Sequence, residues 1–242
     1  FAKCIACGLT FTIGTEYFPV SHLTDSDFLH KGAIYIILYG WISITILRFK
    51  YYFAWKLSIC SIQSSGIGYS KEKNKFNRID SVNVTQVETS LHIKDKIGYW
   101  NMCVQEWLRK TVYNRSPFKS KGASQLYVFM VSAFWHGYYP GYYLSFFFWF
   151  LQVYVQGLIF KFTKHEHSGL KKVFRKTGPV GRFLVAMIAN IVFSSSAMFF
   201  VVLDGSIGIN ILMKKFAAPQ ILLLIGLVIF SLPIGKRKYS KT

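Results

Sequence analysis

Acidic residues are scarce in this chain. Its 242 residues include 10 Asp plus Glu against 29 Lys plus Arg, a formal balance of +19. Charged residues of both signs make up only 16%, where a soluble domain carries roughly 25%. That shortage excludes an ordinary soluble globular domain. Four cysteines are too few for a disulfide-stapled secreted scaffold. A hydrophobic content of 52% excludes a disordered chain. No Asp or Glu lies between Glu106 and Glu166, so paired-carboxylate hydrolysis has no local reagents there. The G-x-S-x-G elbow, the Walker loop and the G-x-G-x-x-G turn are all missing.

What the chain has in plenty is apolar sequence, in stretches over about 2–18, 33–47, 51–68, 123–137, 142–162, 183–203 and 219–235. A spanning helix needs about 20 such residues, and 183–203 meets that alone. The 142–160 run is dense in Phe, Tyr and Trp and carries Gln152 and Gln156. Those polar groups suggest helices facing a protein-lined or polar cavity on one side. The basic residues lie between the runs, in 71–122, in 161–182 and in the tail 236–242. By the bias of Lys and Arg toward cytoplasmic loops, these three segments face the cytosol. The stretch 123–160 must then cross twice, as a hairpin turning near Tyr139-Pro140-Gly141. A nucleic-acid binder would interleave its aromatics with its charges; here the two are segregated, so no nucleic-acid partner is expected. Phe1 opens inside an apolar run, and further N-terminal helices are expected to precede it.

Cys4-Ile5-Ala6-Cys7 has CxxC spacing but stands alone in an apolar segment, so it reads as two helix-borne core cysteines. His165-Glu166-His167 lacks a third ligand nearby and reads as part of a solvated basic loop. No metal site is expected. Of the six histidines only His136 lies in an apolar run. An ionisable residue inside a membrane segment is costly and is a functional candidate by default. With no carboxylate close in sequence and a low dielectric around it, its neutral form is favoured. A neutral imidazole can take a proton from a hydroxyl. His136-Gly137 followed by Pro140-Gly141 also breaks a helix, which a membrane tolerates only where backbone is buried in protein or lines a cavity.

These residues fall into a pattern. Trp135-His136-Gly137-Tyr138-Tyr139-Pro140-Gly141-Tyr142-Tyr143-Leu144-Ser145-Phe146 closely resembles the WHGxxPGYYLxF block of the membrane-bound O-acyltransferases, in their lysophospholipid branch. Trp100-Asn101-Met102, Trp107-Leu108-Arg109 and Val112-Tyr113-Asn114-Arg115 resemble that branch's WNxxxxxWLxxxVYxR block. Arg48 to Trp55, with Ser65-Gly66-Ile67-Gly68-Tyr69, is similar to its RxKYYxxW and SGxGF stretch. Three blocks in the right order make a specific signal.

The resemblance implies an all-α polytopic bundle, a single domain over 1–242, with a short or re-entrant helix at the WHG motif and an internal tunnel. A basic cytosolic loop over 70–122 would carry the WN block; its 70–98 part matches nothing in the family pattern. It implies a reactive pair, His136 and Asn101, 35 residues apart. His136 would act as base, and the Asn101 amide would orient it or stabilise the tetrahedral oxyanion. Acyl-CoA is implied as co-substrate, with no resident cofactor and no covalent acyl-enzyme. A lysophospholipid is the implied acceptor and the endoplasmic reticulum membrane the implied site. Trp100, Trp107, Arg109, Arg115, Trp135, Tyr142 and Tyr143 are the matched positions that would contact substrate. The alternatives are another alcohol (a sterol, diacylglycerol or a protein serine) or a non-catalytic transporter or scaffold. The region 190–203 departs from the family's late helix, lacking its Tyr and Pro-Phe pair. Asn83-Val84-Thr85 is a glycosylation sequon in the segment assigned to the cytosol. It is expected to stay unmodified in cells; a gel shift on glycosidase treatment that is abolished by Asn83→Gln would invert the topology.

Overall fold

The computed structural model describes residues 1–72, 74–76, 79–165 and 169–203, apart from the side chains of Leu29, Lys75 and residues 160–177. The expected apolar run at 219–235, the tail 236–242 and residues Glu166 and His167 lie outside the described residues. Apolar periodicity and the near absence of interior prolines make almost every described element a helix. In order these are α1 (Ala2–Tyr17), a 3₁₀ turn (Val20–Thr24), α2 (Ser26–Leu29) and α3 (Ala33–Ser64). A two-residue antiparallel ladder, β1 (Tyr69–Ser70) with β2 (Lys75–Phe76), follows the SGIGY turn. Three short helices come next: α4 (Val84–Thr89), α5 (Ile93–Tyr99) and α6 (Met102–Leu108), the last running into a π-helical turn (Arg109–Tyr113). The chain then forms α7 (Lys121–His136), α8 (Pro140–His165) and α9 (Gly169–Val202).

Three segments are long and apolar enough to cross a membrane: Ala33–Ser64, Pro140–Ile159 and Gly178–Val202. They pack as a layer of α3, α9 and α8, with α1 against α3 and α7 against α8. Met198 of α9 joins Ile36, Tyr39 and Ile44 of α3 in one core cluster. Phe199 joins Phe148, Phe150 and Leu151 of α8 in another. Ile5, Leu9 and Ile13 on α1, and Phe183, Leu184 and Ile188 on α9, point outward. Such apolar outer faces suit lipid.

The structure corrects three expectations. The separate runs 33–47 and 51–68 are one helix of 32 residues, about 48 Å at 1.5 Å per residue. Of the two charges that divide them, Lys50 is exposed and Arg48 is paired and hydrogen-bonded inside the protein, so the span is not broken. The basic loop over 70–122 is likewise no open loop. Its α4 contacts α9 and its α5 contacts α8, and Val82, Val87, Ile93 and Lys96 are buried. The apolar residues between its charges supply that docking face. The glutamines of α8 also face protein rather than a cavity. Gln156 accepts from the Ile93 amide and donates to the Leu91 carbonyl, while Gln152 donates to the Val192 carbonyl and to Ser196 Oγ.

The expected hairpin is present, with its turn at 137–139, slightly earlier than the sequence suggests. Gly137 takes φ 130°, a conformation open to glycine and strained for other residues, and Pro140 sits at the first position of α8, where its missing N–H costs nothing. Gly141 serves close approach instead: a Cβ there would fall on the Phe199 carbonyl oxygen and the backbone of Leu203. Its amide donates to the Leu203 carbonyl at 3.0 Å. Gly141→Ala is therefore expected to pry α8 from the end of α9, lowering the Tm of the detergent-solubilised protein by several degrees. An unchanged Tm would show that the two helix ends part without cost.

Candidate functional site

The WN and WHG blocks meet at a cavity of about 180 Å³ between α3, α5, α6, α7, α8 and α9. Its wall is mostly aromatic and aliphatic, with Arg48, Asn101, Gln105, Ser132 and His136 among its polar contributors. Ligand pockets commonly enclose about 300–1,000 Å³, so this one suits reacting groups rather than whole acyl chains. Where the resemblance implies a tunnel, the described residues show a cavity of this size.

His136 is the last residue of α7, held where the helix stops at Gly137. Its ring stacks on Phe146 at 5.2 Å between centroids and meets Trp135, Tyr142 and Phe200. Among the described residues it has no hydrogen-bond or ion-pair partner, and no carboxylate lines the cavity. Packing on several sides fixes the ring, while its nitrogens stay available to a ligand.

Asn101 reaches the same wall from the opposite part of the sequence. It stands immediately before α6 with φ 49° and ψ 57°, a left-handed conformation. Asn tolerates this better than other side-chain-bearing residues. Sequence alone would read it as an ordinary N-cap, yet its side chain makes no cap bond to α6. The flanking backbone is anchored instead: Met102 N–H donates to the Ser81 carbonyl, and Trp100 N–H donates to the carbonyls of Lys96 and Ile97. The amide is left for the cavity. Trp100, also on the wall, is clamped by Tyr51, Tyr52 and Trp55.

The remaining matched positions do not line the cavity. Trp107 is exposed, and Arg109 and Arg115 point to solvent. Arg109 and Lys110 instead grip Glu106 on the outer face of the helix, at 2.8 and 3.0 Å. Their hydrogen bonds hold that carboxyl at about 2, well below its usual range. The last acid before the acid-free stretch is thereby spent on local pairing. Trp135 is exposed with its ring edge on His136, Tyr142 packs between His136 and Phe200, and Tyr143 is half-buried away from the wall. Of these, Trp135 and Tyr142 contact the imidazole.

Arg48 was not legible as a wall residue, although a charge within an apolar run was the available signal. Nε and Nη2 make a bidentate pair with Glu88 at 2.9 and 2.8 Å. Nη1 donates to Ser194 Oγ and Nη2 also donates to Thr45 Oγ1. Tyr52 donates to the same carboxylate at 2.6 Å. Nearby, Lys96 is fully buried and donates to the carbonyls of Val87 and Glu88 and to Asn190 Oδ1. Burial pushes its ammonium down to about 8, against the opposing pull of Glu88; its three hydrogen bonds to oxygen acceptors match the three donors of an ammonium.

A helical membrane bundle that closes its long spans around a histidine-bearing cavity defines the class, an integral membrane protein. The chain belongs to the membrane-bound O-acyltransferase family, whose model matches residues 2–199. It is similar to "Lysophospholipid acyltransferase 6" of Drosophila melanogaster, 37% identical over 147 residues that cover 59% of this chain and 20% of that protein. It is 38% identical over 144 residues to "Lysophospholipid acyltransferase" of Saccharomyces cerevisiae, covering 56% of this chain and 23% of the relative. The protein of the same name from Schizosaccharomyces pombe is 30% identical over 247 residues, 96% of this chain and 47% of the relative. The chain thus spans less than half the length of these curated relatives.

The backbone at Asn101 separates its two roles. Asn101→Gly keeps the left-handed turn and is expected to leave thermal stability within about 0.5 kcal/mol of the parent. Asn101→Ala forces a Cβ into that conformation and is expected to cost about 1–2 kcal/mol. Equal Tm values for the two variants would show that the turn imposes no such constraint.

Proposed function

We propose that this protein transfers a fatty acyl group from acyl-CoA to the free hydroxyl of a lysophospholipid, within the endoplasmic reticulum membrane. The observation that supports this most is that His136 and Asn101 line the same cavity. In this reading the neutral His136 imidazole takes the proton of the acceptor hydroxyl as its oxygen attacks the thioester carbonyl carbon. The Asn101 amide donates to the oxyanion that forms, or orients the imidazole. Collapse of the tetrahedral intermediate forms the ester, breaks the carbon–sulfur bond and releases the thiolate of CoA, which recovers the proton from His136. Neither a serine nor a cysteine nucleophile is needed.

The apolar wall favours this chemistry physically. It excludes bulk water, which would otherwise compete with the acceptor as nucleophile. It also strengthens the amide's interaction with a developing negative charge. The names of the relatives support the acceptor class, each being called a lysophospholipid acyltransferase. Phosphates on the acyl donor match the basic sides of 71–122 and 161–182 in sign.

Microsomes bearing the full-length protein, labelled acyl-CoA and a panel of lysolipids test the reading. His136→Ala is expected to lower turnover by about 10²–10⁴-fold, the range for loss of a general base. Asn101→Gly is expected to lower kcat by about 10²–10³-fold, the range for loss of an oxyanion donor. Turnover that survives both changes would sink the assignment of these two residues. Transfer to a sterol, diacylglycerol or protein serine in place of every lysolipid would overturn the acceptor.

A further inference from the structure

The cavity carries one formally charged side chain on its wall, Arg48, among the described residues. A guanidinium has five N–H donors. Nε–H, both Nη2 hydrogens and one Nη1 hydrogen are taken by Glu88, Thr45 and Ser194. The second Nη1 hydrogen has no acceptor among the described residues. Beneath the guanidinium lies Phe193, at 5.8 Å from its centroid and also on the wall. Phe193 stacks on Trp149, Trp149 meets Phe146, and Phe146 stacks on His136. A single run of wall residues therefore joins the charge to the imidazole.

The charge is not cancelled within the protein. Arg48 and Lys96 contribute +2 and Glu88 contributes −1, leaving +1 in the cluster. Lys96 is satisfied by neutral acceptors only, two backbone carbonyls and the Asn190 amide oxygen. An uncompensated buried cation is expensive, and an anion in the adjacent cavity would offset that cost. Low dielectric keeps the attraction strong over several ångströms.

We propose that Arg48, backed by Lys96, is the determinant that selects a phosphate-bearing acceptor over its neutral analogue. A lysophospholipid places a phosphodiester a few bonds from its free hydroxyl, and that group stays anionic throughout the physiological range. With the hydroxyl at His136, the phosphodiester shares the low-dielectric cavity with Arg48 and feels its charge through space. A monoacylglycerol offers the same hydroxyl and chain without the charge. Arg48 is thus a specificity residue, and Lys96, which does not line the cavity, acts through its charge alone. The inference rests on the lysophospholipid reading above.

The test compares kcat/KM for 1-oleoyl lysophosphatidylcholine with that for 1-oleoylglycerol in the membrane-embedded full-length protein, at saturating acyl-CoA. Arg48→Gln is expected to reduce the ratio by about tenfold or more, the scale of one charge interaction at partly buried range. Arg48→Lys is expected to restore part of it. Lys96→Gln removes the charge while leaving an amide that can still donate in the same pocket, so a severalfold fall in the ratio is expected there too. Because Lys96 does not line this cavity, a merely structural role would lower both substrates alike and leave the ratio fixed. An unchanged ratio in both Gln variants, with the parent active on the lysolipid, would overturn this inference while leaving the acyltransferase reading intact. So would a rise in KM confined to acyl-CoA, which would place the anion on the donor. A parent inactive on both acceptors would overturn the acyltransferase reading itself.

Discussion

Neutralising Arg48 is the constraint on which the rest of the bundle depends. A guanidinium near the middle of a 32-residue apolar helix has no place in lipid unless protein covers it. Glu88 provides the countercharge from α4, Ser194 an acceptor from α9, and Tyr52 a second hydrogen bond to the carboxylate. Lys96 and Asn190 continue the network from α5 into α9. Because a buried pair that loses one partner costs about 3–5 kcal/mol, these helices cannot drift apart independently. The polar network therefore docks a connecting segment on the long helices and fixes it beside the cavity.

The placement of the two candidate reactive groups follows from that framework. Docking of α4 and α5 sets Trp100, and Trp100 sets the left-handed turn at Asn101. On the other side, Gly141 lets α8 close on the end of α9, and this brings Phe146 and Phe200 onto His136. Each group is held by backbone and by ring packing, not by charged neighbours. The cavity thus combines uncharged polar groups, His136 and Asn101, with one cationic side chain, Arg48.

Much of this was legible in the residues. The apolar runs predicted helices, the His136-Gly137 and Pro140-Gly141 pairs predicted the hairpin, and block order predicted that His136 and Asn101 belong together. Local pattern failed where long-range pairing decides. The split of α3 at Arg48 looked like a boundary because its partner Glu88 lies 40 residues on. Gln152 and Gln156 looked cavity-facing because their acceptors and donors sit in α5, α9 and the 91–93 backbone. Arg109 looked available to substrate because an i,i+3 surface pair with Glu106 carries no distinctive signal. Hydropathy reports which residues avoid water; it does not report which polar groups find one another.

The most direct measurement of the central account is a structure of the membrane-embedded protein with a non-hydrolysable acyl-CoA thioether and a lysophospholipid both bound. The account predicts the acceptor hydroxyl at about 2.6–3.2 Å from an imidazole nitrogen of His136, with the carbonyl position of the donor facing the Asn101 amide. A lysophospholipid seated outside the cavity, with neither residue in contact with the reacting groups, would contradict it.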